Sequence, residues 1–237
     1  LYQMIAKNVG IRRAAGEYIV ATNIDILFSD ELFAYIASGS LRPNRMYRVD
    51  RYDVDNKLPE GCDFGEVMDY CRKNLLRINS RYGTFATATG AFAPVYPMRI
   101  EEQTQRYKLF PALHTNACGD FQLMHRDNWF DLRGYPEFDI FSFHLDSVML
   151  FAAHFGGAPE YALTPPMVTY HIEHGSGFTP ETAVKLEKRL KQSKLRRISD
   201  DELFLIGNWI ARRRERVVFN AEGWGLADRD LREETVV

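Results

Sequence analysis

Three stretches of this 237-residue chain place acids and imidazoles where they could do chemistry. The first is YIVATNIDILFSDEL, residues 18–32, an apolar run that carries one acid, Asp25, two residues after Asn23. A carboxylate in such a run is costly unless it caps a helix, pairs with a charge or binds a cation. A carboxylate beside a second oxygen donor suits Mg²⁺ or Mn²⁺ holding phosphate oxygens. The alternative is that Asn23 and Asp25 only organise a turn. The second stretch is FHLDSVMLFAAHF, where Asp146 stands at the head of an apolar helix. It is there either as an N-cap, a role Asp often fills, or as a general base kept ionised by the positive end of the helix. The third is YHIEHGSG, with His171 and His174 around Glu173, and with Gly175 and Gly177 able to form a flexible loop near phosphates. Two such histidines make a weak zinc signal, and one of them joining Asp25 on a shared divalent ion is the better reading. A fourth acid, Asp120 in GDFQLMHR, precedes an apolar strand and either faces a substrate hydroxyl or caps a loop. DVDN at 53–56 reads as a solvated turn, and ARRRER at 211–216 as a solvated helix face.

These residues need elements to hold them. YQMIAKNVGIRRAA, residues 2–15, has Ile5, Val9 and Ile11 on one face and reads as a helix ending at Gly16. EYIVAT is then a short strand, apolar enough to be buried on both faces as in a parallel sheet. Ser29 or Asp30 caps a helix over ELFAYIAS, closed by Gly39. Helix, strand, site loop, helix is the order of an α/β sheet domain. RMYRVDRYDV reads as a strand, FGEVMDYCRKNLLRI as a helix, and GDFQLMHR as a strand followed by a short helix and the turn RGYPE. DSVMLFAAHF is apolar all round and predicts a buried helix, while EYAL and MVTYHI read as closing strands. Residues 79–118 lack periodic pattern, which in a compact domain marks a lid or a disordered segment. From Thr179 onward the pattern is helical and charged. The expected organisation is one α/β domain over residues 1–178 with a helical extension over 179–237.

Composition narrows the classes. A net charge of −2 argues against a general nucleic-acid binder, which carries a basic face. Cys62, Cys71 and Cys118 are odd in number and lack C-x-x-C spacing, so they read as reduced thiols of a cytoplasmic or otherwise intracellular protein. No apolar run is long enough for a transmembrane helix.

Taken as ordered blocks, the chain resembles the GT-A fold glycosyltransferases, in particular the family 2-like group of nucleotide-diphospho-sugar transferases. KNVGIRRAAGEYIVATNID resembles the segment that leads into the D-x-D metal motif. GDFQLMHRDNWFDLRGYPE is similar to the later strand, short helix and turn, and HLDSVMLFAAHFGG to the helix that carries the catalytic acid. The resemblance spans roughly residues 5–175. It implies a mixed sheet flanked by helices and a metal-dependent, inverting hexosyltransferase. A nucleoside-diphosphate sugar would be the donor and a glycan or other hydroxyl-bearing molecule the acceptor. Asp25 matches the last acid of D-x-D, with Asn23 in place of the first, and Asn8 and Arg12 fall in the same donor-binding block. Asp146 matches the general base, with Leu145 where an acid often precedes it, and Asp120 matches an acceptor-side catalytic position. His171 or His174 matches a late histidine that completes the shell of a Mn²⁺ or Mg²⁺ ion. The family's first strands and helices, which bind the nucleotide base, would lie ahead of Leu1. Two other readings stay open: a metal-dependent phosphoester hydrolase using Asp25, Asp120, His171 and His174, and a non-catalytic sugar- or protein-binding domain of the same shape.

Overall fold

A computed structural model describes residues 2–58, 60–88, 91–94, 113–174, 180–213 and 215–232. Helices α1 (Gln3–Arg13), α2 (Asp30–Ala37), α3 (Phe64–Lys73), α4 (Arg126–Leu132), α5 (Leu145–Phe155), α6 (Pro180–Gln192) and α7 (Asp200–Ala211) surround two sheets. The strands are β1 (Tyr18–Thr22), β2 (Ile26–Phe28), β3 (Met46–Arg48), β4 (Asp50–Val54), β5 (Leu75–Ser80), β6 (Gly83–Ala88), β7 (Ala91–Pro94), β8 (Phe121–His125), β9 (Glu160–Ala162) and β10 (Val168–Ile172). One sheet has the order β1-β8-β3-β9 and the other β2-β10-β4-β5-β6-β7. Both are mixed: β3/β9 and β10/β4 pair in parallel, and the other ladders are antiparallel. The α/β class is as expected from the sequence.

Several local readings change. β1 is an edge strand paired only with β8, antiparallel, so it is not buried on both faces. Ile19 and Ala21 point into the core, whereas Val20 is 36% exposed. RMYRVDRYDV is two strands, because the chain leaves one sheet after Arg48 and enters the other at Asp50. The helix begun at Phe64 stops at Lys73. Asn74 closes it, with both its backbone N–H and its side-chain Nδ2 donating to the Tyr70 carbonyl, and Leu75–Ser80 then pairs with β4. In the patternless 79–118 stretch, residues 83–88 and 91–94 form the hairpin β6–β7, while 95–112 lie outside the described residues. α7 ends at Ala211, so most of ARRRER lies past the helix, where Arg216 donates to the Gly156 carbonyl at 2.9 Å.

The helix starts follow their side chains. Ser29 caps α2 by accepting from Leu32 N–H, and Asp63 and Glu66 form a reciprocal capping box on α3. α5 is buried along nearly its whole length, from Leu145 through Ala153 apart from Asp146. It shares one core with Ile19, Met124 and Trp129, and also with Ile198, Leu203, Ile210 and Trp224 of the C-terminal part. A second cluster, including Leu32, Tyr47 and Phe121, lies under α2, and a third, including Val54, Met68 and Tyr170, lies under α3. Among the described residues no helix is long and apolar enough to cross a membrane. Cys62, Cys71 and Cys118 are free thiols.

Candidate metal and acceptor site

Strand pairing explains why the site forms where it does. Side chains alternate along a strand, so Arg51 and Asp53 of β4 share one face. Register sets Asn79 opposite Arg51, Arg77 opposite Asp53, and His171 of β10 beside Asp53. β10 also pairs with β2 so that His171 faces Ile26, the residue after Asp25. The six-stranded sheet therefore gathers Asp25, His171, Asp53, Arg51, Arg77 and Asn79 from three strands and one loop.

Asp25, His171 and His174 meet. Asp25 Oδ2 lies 3.2 Å from His171 Nε2 and 3.0 Å from His174 Nε2, and one ligand atom from each residue lies within 4.8 Å of the others. Asp25 Oδ1 is buried without a hydrogen-bond partner, which fits a carboxylate built to hold a cation. Two imidazole nitrogens and one carboxylate suit a first-row transition-metal ion such as Mn²⁺ better than Mg²⁺, which prefers oxygen ligands. Gly175 and Gly177 lie outside the described residues.

Asp53 stands behind this group and is the residue that the sequence reading missed. It is fully buried, not part of a solvated turn. Its Oδ1 lies 3.3 Å from His171 Nδ1 and 2.8 Å from Arg51 Nε, while Oδ2 accepts from Arg77 Nε at 2.9 Å and Asn79 Nδ2 at 3.1 Å. A carboxylate on the far nitrogen of a ligating histidine fixes the ring's tautomer and orientation. Burial alone would raise the Asp53 pKa, but His171, Arg51 and Arg77 together hold it well below the usual carboxylate range. Burial likewise opposes a charged His171, and is the largest single influence, yet the Asp53 hydrogen bond and the charges of Asp53 and Asp25 together outweigh it and raise the ring's pKa. The available signal was the alternation in RYDV, which sends two charges toward one face between Tyr52 and Val54.

Asp120 is held on the same wall and is not a metal neighbour. Its Oδ2 pairs with Arg51 Nη1 at 2.5 Å, and its Oδ1 accepts from Asn23 Nδ2 at 2.5 Å. The hydrolase alternative loses a ligand by this placement. Asn23 Oδ1 accepts from Gln3 Nε2 at 3.0 Å, so Asn23 links α1 to Asp120 while Asp25 faces the histidines.

Asp146 is the second residue of α5 and does not cap it; His144, at φ 69°, occupies the N-cap position. Its Oδ1 accepts from the Ser147 N–H at 2.8 Å. Burial raises its pKa despite that bond and the nearby Lys7, so the helix terminus does not dominate as expected from sequence. Lys7, missed earlier, donates to the Gly119 carbonyl at 2.6 Å, and burial lowers its pKa against the pull of Asp146 and Asp120. A Cβ at Gly119 would sit 2.9 Å from Asp146 Oδ2, so any larger residue there would push that carboxylate aside.

Two cavities adjoin across Gln3 and Asn23. One, of about 700 Å³, is lined by Arg51, Asp53, Asp120, His144 and Asp146 among others. The other, more open, is lined by Lys7, Thr22, Ile24 and Asp25. Asn8 and Arg12 reach neither. Asn8 is fully buried, donating to the Tyr135 carbonyl and Glu137 and accepting from Tyr135 N–H. Arg12 donates to the carbonyls of Glu222 and Trp224 and stacks on the Trp224 ring. Asn8 ties α1 to the turn after α4, and Arg12 ties it to the C-terminal segment. They sit on the side of α1 that packs inward, which the motif spacing alone did not distinguish. No family model and no curated protein sequence matches this chain.

Proposed function

We propose that the protein transfers a sugar from a nucleoside-diphosphate sugar to an acceptor hydroxyl with inversion, in the manner of the GT-A glycosyltransferases it resembles. The observation that carries this reading is that Asp25, which meets His171 and His174, lines one of two adjoining cavities and Asp146 lines the other. The donor diphosphate lies by Asp25, and the acceptor lies in the larger cavity. When bound, a divalent cation supplies positive charge against the departing diphosphate.

Asp146 takes the proton from the acceptor hydroxyl as that oxygen bonds to the anomeric carbon. The bond from that carbon to the phosphate oxygen breaks, and its electron pair leaves with the diphosphate. Half-buried, with a raised pKa, the Asp146 carboxylate is a stronger base than a solvated one, and such a base is worth about 10²–10⁴ in rate. Asp53 orients His171, and Arg51 with Asn23 fixes Asp120 on the acceptor wall.

The test is Mn²⁺-dependent release of nucleoside diphosphate across a panel of nucleotide sugars, with Mn²⁺ binding followed calorimetrically. Asp25→Ala is expected to abolish Mn²⁺ binding, and Asp146→Asn to keep binding while losing turnover about a hundredfold or more. Full turnover by Asp146→Asn removes the base assignment, and no release from any donor removes the proposal.

A further inference from the structure

We propose that Lys7 and Arg48, two cations that grip the loop 114–119 by its backbone carbonyls, are positioning residues for Asp146. This rests on the transfer reading above and goes beyond it in saying what holds the base in place. Arg48 ends β3 and is fully buried. Its Nε donates to the His114 carbonyl at 3.3 Å, and its Nη2 to the carbonyls of Asn116 and Ala117 at 3.2 and 3.3 Å. Its Nη1 has no hydrogen-bond partner. Lys7 takes the Gly119 carbonyl from the side of α1, at 2.6 Å. Among the described residues neither cation forms an ion pair with an acid. A charge withdrawn from water without a counter-ion is costly, so two of them on one loop need a reason.

The loop is the surface against which Asp146 rests. Cys118 Sγ donates to the Asp146 carbonyl at 3.5 Å, and Gln122 Nε2 donates to the same oxygen at 2.9 Å. Gly119 leaves the room that the carboxylate occupies. Ala117, between them and Arg48, is held in the left-handed region at φ 48°, a strained conformation for a residue with a Cβ. Gripping the carbonyls of 116, 117 and 119 from behind fixes this surface. It also brings positive charge to a carboxylate that burial would neutralise. Burial raises the Asp146 pKa, and the Ser147 N–H, His144, Lys7 and Arg48 pull against it. Cys118 of the loop and Tyr135 after α4 also face Asp146, and Asp120 shares Lys7 with it.

Carbon-13 NMR of labelled aspartates follows the Asp146 carboxyl without any turnover, its signal assigned by loss in Asp146→Asn. Lys7→Met, at a half-buried residue, should raise the midpoint of that titration, and Lys7→Arg should keep it near wild type. In Mn²⁺-dependent release of nucleoside diphosphate, Lys7→Met should lose about tenfold or more in kcat at pH 6 and recover most of it by pH 8. Arg48→Lys keeps the charge but gives up the fork on Asn116 and Ala117. The midpoint should then hold while kcat falls about tenfold at every pH, and an unchanged kcat removes Arg48 from the role. If Arg48→Lys does not fold, the Lys7 variants carry the test. An unmoved midpoint in Lys7→Met overturns the inference. So does a loss equal at every pH and carried by the donor KM, which would assign Lys7 to the donor. A raised midpoint with no turnover of any nucleotide sugar leaves the cations holding Asp146 while the transferase reading fails. Turnover with an unmoved midpoint does the reverse.

Discussion

Replacing Asp53 by Asn is the most demanding test of the charge network. The substitution keeps volume and one hydrogen-bond acceptor but removes the charge from a side chain that is 1% exposed. Arg51, Arg77 and His171 then lose a shared carboxylate at 2.8, 2.9 and 3.3 Å. Breaking a buried ion pair by removing one partner costs about 3–5 kcal/mol. Arg51 and Arg77 are 22% and 21% exposed and retain Asp120 and Glu173, which moderates the cost. We expect a loss of about 2–3 kcal/mol, allowing for that partial solvent screening. For a chain of this size it corresponds to a drop in Tm of about 4–12 °C. Differential scanning calorimetry at neutral pH measures it, with the exposed Asp30→Asn, which breaks only a surface pair with Arg72, as control. The pH dependence follows from the sign of the shift. Asp53 has a folded-state pKa below its unfolded value, so its contribution is complete above about pH 5 and fades as pH falls through about 4 and lower. The gap between wild type and Asp53→Asn should therefore close below that range, and should also narrow as pH rises through the raised His171 pKa, where the charged ring that Asp53 stabilises is lost. A Tm for Asp53→Asn equal to that of Asp30→Asn would refute the claim that this carboxylate organises the site.

Three further outcomes are expected. Gly119→Ala places a methyl group 2.9 Å from Asp146 Oδ2, so turnover should fall about tenfold or more while Mn²⁺ binding is unchanged; steady-state kinetics beside calorimetry separate the two. Asn8→Ala strands the Tyr135 N–H in the core, while the Tyr135 carbonyl keeps Asn220 Nδ2, and should cost about 1–3 kcal/mol in urea denaturation, with no change in nucleotide affinity at equal folded fraction. Arg77→Met leaves Asp53 with Arg51, His171 and Asn79. It should lower Tm by less than Asp53→Asn does, because one removed cation leaves the carboxylate still paired.

Much of the local order was legible in the chain. Ser29 before a run of helix formers and Gly39 after it gave α2, and the unbroken apolar run 148–153 gave α5, because capping chemistry and helical burial act over a few residues. The grouping of Asp25 with a late histidine was also anticipated from residue type, as was an acid at the head of the buried helix. Pairing and register were not legible. Asp53 read as a solvated turn because nothing within a few residues shows that β10 and β5 will cover it with His171 and Arg77. Asn8 and Arg12 shared a motif with Asp25, yet the turn after α4 and the segment around Trp224 claimed them for packing. Sequence by itself determined which residues could ionise, cap or bury, since these are properties of side chains and near neighbours. Only the tertiary structure decided which charges meet, because ion pairs between β4, β5, β10 and the loop before β8 depend on contacts far apart in the chain, where local chemistry sets no distance.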